Sequence, residues 1–299
     1  MPDRRFMPWL DRSGKFSALK LVVLLALCAP ALWYLSLWLT DDLGPKPVTT
    51  AIRGIGDWTI RILIASLAVS PLRFASGWGK LIAVRRMIGV GALAYVLLHF
   101  TLYIVDQRFR FSVIALEIVL RFYLTIGFLA LSGLAILGAT STDAMIRRLG
   151  APRWNRLHKL IFPITFLAIV HDLLQARTAI GEACVLAGLA ALLGGERILR
   201  ARGVKPSGAG YSAGLAGLAV LGVTVTFALE GAWLAVRNNI AFQRVIAADF
   251  DFTYEIRPGW YVLAAGLALA AVSIMRRTGW RLPTFGRGAG PQPDPQSSR

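Results

Sequence analysis

The sequence predicts an all-α integral membrane protein, a multi-pass bundle of about eight transmembrane helices. Two observations support this prediction. Of the 299 residues, 56% are hydrophobic, and the mean hydropathy of +0.59 is well above that of soluble domains. The apolar residues are also grouped into runs close to the ~20 residues that cross a bilayer, with short charged segments between them.

Eight runs are long and apolar enough to be considered as spans. In chain order they are residues 18–39, 57–75, 87–105, 122–141, 157–175, 180–198, 211–236 and 260–276. The first is too long for a signal peptide and lacks a clean small-residue cleavage site, so we expect it to be a retained helix. The second and the eighth are the weakest, because Arg61 and Pro71 interrupt one and the other is short.

The connection ARGVKPSGAG, residues 200–209, is the best internal boundary. It predicts a six-helix core in residues 1–209, followed by two additional transmembrane helices with a periplasmic loop in residues 210–276. Residues 277–299 are rich in Gly, Pro and Ser and are expected to form a disordered cytoplasmic tail.

The net charge of +17 is explained by membrane topology. With eight spans, about two thirds of the Lys and Arg residues fall on the side that holds both termini, and most Asp and Glu residues fall on the other side. The positive-inside rule therefore predicts that both the N- and the C-terminus lie in the cytoplasm. The basic face is suited to anionic lipid, and a nucleic-acid partner is not needed to explain it.

The chain has three histidines, and all of them lie in two apolar runs. His99 lies 13 residues after Arg86, and His171 lies 15 residues after Arg156. Both spans are predicted to run outward, so the two imidazoles differ in depth by about 3 Å. His158 lies roughly 20 Å below His171, near the cytoplasmic edge.

Ionisable groups at such depth indicate function, and imidazole is a common ligand of iron. Two histidines at matched depth on two helices could hold a haem between them. From spacing alone, the histidines could instead form a proton pathway or make structural hydrogen bonds between helices. Phe100, Tyr95, Phe162 and Phe166 are near the histidines in sequence, and Arg108 and Arg110 follow His99 as candidates to pair with haem propionates.

Three segments resemble a known family. RRMIGVGALAYVLLHFTLY (85–103), ATSTDAM (139–145) and RRLGAPRWNRLHKLIFPITFLAIVHDLL (147–174) are similar to haem-binding membrane subunits of periplasmic protein-methionine-sulfoxide reductase systems. Those subunits belong to the wider ferric-reductase-like transmembrane family. The resemblance covers roughly residues 18–200.

The resemblance implies a six-helix bundle with one or two b-type haems bound by His99, His158 and His171. It also implies electron flow from the quinone pool, with FMN as a further cofactor whose ligands no residue pattern identifies. The implied acceptor is a periplasmic molybdopterin subunit that reduces methionine sulfoxide in oxidised proteins, and so serves protein repair. The chain would then be an electron-transfer subunit with no catalytic residues of its own.

His158 departs from the pattern of the NADPH oxidases in this family, because Arg85 and Arg86 occupy the place of its partner histidine. A second haem would be five-coordinate, would use a ligand such as Met87, or would be absent. No GxGxxG motif follows a strand, so the chain is not expected to oxidise NADPH itself. The alternatives are a stand-alone ferric or quinone reductase and a histidine-dependent proton-coupled transporter.

Overall fold

The structure is a computed structural model that describes residues 7–11, 13–176, 180–253 and 255–279. The described residues form helices and their connections, with a single β-bridge between Leu10 and Phe16. In chain order the helices are α1 (Ala18–Leu39), α2 (Pro47–Ser76), α3 (Ile82–Asp106), α4 (Phe111–Leu120), α5 (Phe122–Ala139), α6 (Asp143–Leu149), α7 (Ala151–His158), α8 (Ile161–Gln175), α9 (Gly181–Ala201), α10 (Ala209–Asn238), α11 (Phe242–Ala248) and α12 (Pro258–Arg277).

The predicted all-α multi-pass fold is confirmed. Within the described ranges, seven segments are long and apolar enough to cross a membrane: Ala18–Leu39, Pro47–Ser76, Gly79–Asp106, Phe122–Ala139, Ala151–Gln175, Ala209–Asn238 and Pro258–Arg277. The sixth predicted span forms α9, which is long enough but carries charges towards both of its ends. Its charged residues leave α9 without a membrane-length stretch that is as poor in charge as those of the seven segments above.

Four short helices were not among the predicted elements. The 10-residue helix α4 is apolar but too short to span, and α6, α7 and α11 have seven or eight residues each. Arg121 separates α4 from α5 with an extended backbone, and its guanidinium pairs with Glu117 at 2.9 Å. Hydropathy locates long apolar runs, so short helices in the connections escape it.

Helices α2, α3, α5 and α8 form a four-membered ring in which each packs against the next: α2 on α3, α3 on α5, α5 on α8, and α8 on α2. Their buried side chains form one apolar cluster, to which α2 contributes Leu63, α3 Ala92, α5 Leu134 and α8 Ile164. This ring holds His99 and His171.

A second apolar cluster joins α2 and α8 to α9, α10 and α12. Its centre includes Tyr211 and Leu215 of α10, both with no exposed surface. Gly188, Gly222 and Gly266 let α9, α10 and α12 approach closely, because a Cβ at any of these positions would lie within 3 Å of a neighbouring side chain. Helices α2 and α8 therefore belong to both clusters.

The connection between α9 and α10 is closed by a buried polar contact. The Glu196 carboxylate is fully buried, accepts a hydrogen bond from the Tyr211 hydroxyl at 2.7 Å and pairs with Arg200 at 2.5 Å. The division proposed at residues 209/210 falls just after this connection, at the first residue of α10, and the second cluster continues across it. The tail predicted for residues 277–299 lies outside the described residues from 280 onward.

The loop before α12 is held by a second buried polar group. Asp249 is fully buried, and Arg257 approaches it at 3.7 Å. Burial raises the pKa of Asp249 to about 6, against the opposing influence of the Arg257 charge. The Trp260 indole N–H donates to the Asp249 carbonyl at 2.7 Å, which fixes the end of α11 against the start of α12.

Helix α1 is attached to the bundle at its proline. Pro30 is the buried residue of α1, and most of the other side chains of this helix are exposed. The hydroxyl of Tyr95 on α3 donates to the Leu27 carbonyl at 2.6 Å and accepts from the Ala31 N–H at 3.0 Å. In an unbroken helix the Ala31 N–H would donate to the Leu27 carbonyl. The Tyr95 hydroxyl bridges these two groups instead, and so satisfies the backbone hydrogen bonds beside the proline.

We expect Tyr95→Phe to destabilise the protein by about 1–3 kcal/mol, because it leaves a half-buried carbonyl and a half-buried N–H without their partner. The measurement is thermal unfolding in detergent. Tyr261→Phe is the matched control, since Tyr261 is 54% exposed. Equal melting temperatures for the two variants would contradict the role assigned to Tyr95.

Candidate functional site

The three histidines occupy different surroundings. His99 lies on α3 and faces α2, His171 lies on α8 and faces α5, and His158 ends α7. His99 and His171 each contact a main-chain carbonyl of a neighbouring long helix, whereas His158 contacts Trp154 and Ser141.

His99 rests on a bare stretch of α2. Its Nδ1 lies 2.8 Å from the Ile52 carbonyl oxygen, and a Cβ added at Gly56 would lie 3.0 Å from its ring. The carbonyl of residue 52 is also the group to which the N–H of residue 56 points in a regular helix. Glycine at position 56 therefore lets the imidazole reach a main-chain oxygen that a side chain there would crowd.

His171 repeats this arrangement on α5. Its Nδ1 lies 2.7 Å from the Tyr123 carbonyl oxygen, and a Cβ added at Gly127 would lie 2.7 Å from the same nitrogen. Positions 123 and 127 are four residues apart, as positions 52 and 56 are. We call each carbonyl-and-glycine pair a histidine seat: the His99 seat is Ile52 with Gly56, and the His171 seat is Tyr123 with Gly127.

The seats fix which nitrogen of each ring is free. A carbonyl oxygen can only accept a hydrogen bond, so Nδ1 of each imidazole carries the proton and donates it. In a neutral ring Nε2 then holds the lone pair. Metal-bound histidines usually donate their other N–H to a carbonyl or a carboxylate in this way, which orients the ring and raises its basicity.

The two seated histidines belong to helices at opposite corners of the ring. α3 and α8 each pack against both α2 and α5. The two imidazoles are still near enough for their charges to interact. Two ligand nitrogens from opposite corners are suited to bind one group from both sides.

His158 has no free nitrogen of this kind. Its Nδ1 lies 3.1 Å from the Trp154 carbonyl oxygen, and its Nε2 lies 3.2 Å from the Ser141 hydroxyl. The Trp154 ring stacks on the imidazole at 3.8 Å, and the indole N–H donates to the Thr140 carbonyl at 2.9 Å. As it stands, His158 ties α7 to the end of α5.

The aromatic residues near the histidines in sequence divide in the same way. Phe100 packs against Phe128 of α5 with ring centroids 6.1 Å apart, in the region between α3 and α5. The Tyr95 hydroxyl donates to the Leu27 carbonyl of α1. The ring of Phe162 lies under the Arg197 guanidinium, and Phe166 is 65% exposed. Phe100 and Tyr95 therefore belong to the four-helix ring, whereas Phe162 and Phe166 lie away from it.

Within the described residues, no group of three or more His, Cys, Asp and Glu side chains is arranged to hold a bare metal ion. A metal held by His99 and His171 alone would need its remaining ligands from a cofactor. The glycines and carbonyls of the seats were not predicted from the sequence. Gly56 lies one residue before the predicted second span and Gly127 lies within the fourth, but nothing in the sequence pairs either glycine with a histidine.

Part of the chain matches a known family. Residues 54–169 match the model of the ferric reductase like transmembrane component, a range that contains His99, His158 and the Gly56 and Gly127 positions. No solved structure matches the chain. Residues 54–169 thus carry a ferric-reductase-like transmembrane component.

Curated relatives narrow this class. The chain is 38% identical over 192 residues to the protein-methionine-sulfoxide reductase heme-binding subunit MsrQ of Rhodospirillum rubrum, which is 64% of this chain and 90% of that protein. It is 39% identical over 188 residues to the subunit of the same name from Azospira oryzae, or 62% and 80% of the two chains. The chain belongs to the MsrQ family.

The geometry predicts an uncommon imidazole tautomer. Because the chain contains three histidines, ¹⁵N-histidine labelling gives few ring signals, and single His→Gln variants assign them. In metal-free protein we expect His99 and His171 to carry their proton on Nδ1. Proton attachment at Nε2 of either ring, read from the ¹⁵N shifts, would show that the seats do not form.

Proposed function

We propose that this chain is the haem-binding, electron-transfer membrane subunit of a protein-methionine-sulfoxide reductase. The single observation that carries the proposal is the pair of seated histidines, which lie on helices at opposite corners of the helix ring and each keep Nε2 for a ligand. The names of the MsrQ relatives supply the reaction that the electrons serve.

His99 and His171 would ligate one haem iron through Nε2. The haem would be of b type, because Cys28 and Cys184 stand alone on separate helices and form no C-x-x-C-H attachment motif. The bound haem supplies one-electron oxidation and reduction. Two histidine ligands leave iron no open position for a substrate, so this arrangement suits electron transfer.

The protein's own contribution is to hold and orient the two imidazoles. Each seat fixes one imidazole against a main-chain carbonyl. The apolar cluster formed by α2, α3, α5 and α8 keeps water away from both imidazoles. Haem propionates need cations. Arg108 and Arg110 were the expected candidates, and both are exposed. Lys46 and Arg53 are exposed as well, line a surface cavity at the start of α2, where Arg53 follows Ile52 of the His99 seat, and are a second candidate pair.

We propose the remaining features of the electron path from the family resemblance and the charge pattern. The electron donor is a membrane quinol, and the acceptor is a periplasmic molybdopterin subunit that docks on the chain. The protein lies in the bacterial inner membrane with both termini in the cytoplasm, as the asymmetry of Lys and Arg predicts. An FMN has no residues assigned to it here.

His158 is the third proposed haem ligand, and it would hold a second haem. For this, Nε2 of His158 has to leave the Ser141 hydroxyl, and the ring has to keep its bond to the Trp154 carbonyl. We assign the first haem to His99 and His171, whose hydrogen bonds are made through Nδ1, so that Nε2 can ligate without breaking one. A pyridine haemochrome count on purified protein, one or two haems per chain, decides the role of His158.

We expect His99→Ala and His171→Ala each to abolish the same low-spin b-type signal in a dithionite-reduced-minus-oxidised spectrum, because the two residues share one iron. His158→Ala should keep this signal, since its ring is engaged elsewhere.

Protein yield and the melting profile in detergent control for misfolding of these variants. A His99→Ala or His171→Ala protein that folds and retains full low-spin haem would contradict the shared site. A folded but colourless parent protein would instead favour the histidine-dependent transporter.

We expect Gly127→Ala to weaken haem binding about 10- to 100-fold, the usual effect of disturbing the partner of a ligand histidine. The added methyl group would occupy the space of the His171 ring. Gly217→Ala on α10 is the matched control, because nothing lies within 4 Å of its added Cβ. Titration of haem into haem-free protein measures both, and equal affinities would show that the His171 seat is dispensable.

A further inference from the structure

Five half-buried arginines come together where α2, α9 and α12 end and α3 begins. They are Arg73, Arg85, Arg197, Arg200 and Arg276, and we call them the arginine cluster. Four helices contribute to it, and the residues are far apart in sequence. The fold itself therefore creates this concentration of charge.

Phe74 marks the centre of the cluster. The guanidinium carbons of Arg73 and Arg200 lie 5.1 Å and 4.3 Å from the centroid of its ring. Arg276 reaches over from α12 and donates to the Phe74 carbonyl at 2.5 Å. Three guanidiniums from three helices thus surround one residue at the end of α2.

Arg197 and Arg85 extend the cluster towards α8 and α3. The Arg197 guanidinium lies 5.7 Å from the ring centroid of Phe162, one turn before Arg200 on α9. Arg85 is close enough to Arg197 and Arg200 for the like charges to repel each other.

Within the part of the chain that the structure describes, little negative charge balances these five. Glu196 is the carboxylate that pairs with a member of the cluster in the described residues, and the Arg200 guanidinium and the Tyr211 hydroxyl already occupy it. Within the described residues, the guanidiniums of Arg73 and Arg197 contact aromatic rings and donate no hydrogen bond to the protein. Half-buried cations without a counter-charge are costly, and guanidinium groups match phosphate oxygens well.

We propose that the arginine cluster is a binding site for a phosphate group. Its position at the ends of membrane-spanning helices suits the headgroup of an anionic phospholipid, and a soluble phosphate compound would use the same donors. The aromatic rings of Phe74 and Phe162 keep the guanidinium planes in place. The site is separate from the His99 and His171 seats and uses neither imidazole, and of its members only Arg85 lies towards His158 in the described residues.

The test compares Arg73→Gln/Arg197→Gln with Arg147→Gln/Arg148→Gln, in the full-length protein in detergent. Both double variants remove two positive charges, but Arg147 and Arg148 are exposed on α6 and lie outside the cluster. The probes are phosphatidylglycerol, phosphatidylcholine and inorganic phosphate, and the readout is the melting temperature as a function of probe concentration.

We expect phosphatidylglycerol to raise the melting temperature of the parent and of the Arg147/Arg148 variant alike. In the Arg73/Arg197 variant the concentration for half of this effect should rise at least about tenfold, since charged hydrogen bonds to phosphate are lost. Stabilisation by phosphatidylglycerol alone assigns the site to a lipid headgroup. Equal stabilisation by inorganic phosphate assigns it to a soluble phosphate compound.

Two results would overturn the proposal. One is an equal loss of the effect in both double variants, which would reflect general surface charge. The other is a parent protein that phosphatidylglycerol and phosphate stabilise no more than phosphatidylcholine does. If the double variant fails to fold, Arg197→Gln alone and native mass spectrometry of lipid bound to the parent protein give the same comparison.

Discussion

The hydrogen bond from a histidine Nδ1 to a main-chain carbonyl of the adjacent helix is the interaction on which the site depends. It occurs twice, at Ile52 and at Tyr123, with a glycine one turn further on in each case. It selects the tautomer, aims Nε2 away from the supporting helix and holds the ring without any polar side chain. A membrane interior disfavours unpaired polar groups, so satisfying Nδ1 from the backbone is an economical way to keep an imidazole there.

The packing around α2 connects this interaction with the rest of the molecule. α2 carries the His99 seat, and Arg61 on the same helix pairs with Glu182 of α9. At its other end, Arg276 of α12 binds the Phe74 carbonyl. Helices α9 and α12, which lie outside the matched residues 54–169, thereby hold α2 in position. The C-terminal helices support the site although they contribute no ligand to it.

Much of the fold could be predicted from the sequence, because long apolar runs are required by the bilayer and are easily recognised. The matched depths of His99 and His171 also follow from rise per residue alone. The seats could not be predicted, since a carbonyl is present at every position and its partner depends on which helices touch. The same holds for His158, whose contacts with Trp154 and Ser141 arise from a turn between short helices that hydropathy does not reveal.

The seats also determine how the sequence can change in evolution. A main-chain carbonyl is the same whatever side chain its residue carries, so positions 52 and 123 are free to drift as far as the histidine bond is concerned. Positions 56 and 127 are restricted to glycine by the space that the rings occupy. In an alignment of related sequences, each seat would therefore appear only as a constant glycine, four positions after a residue that varies.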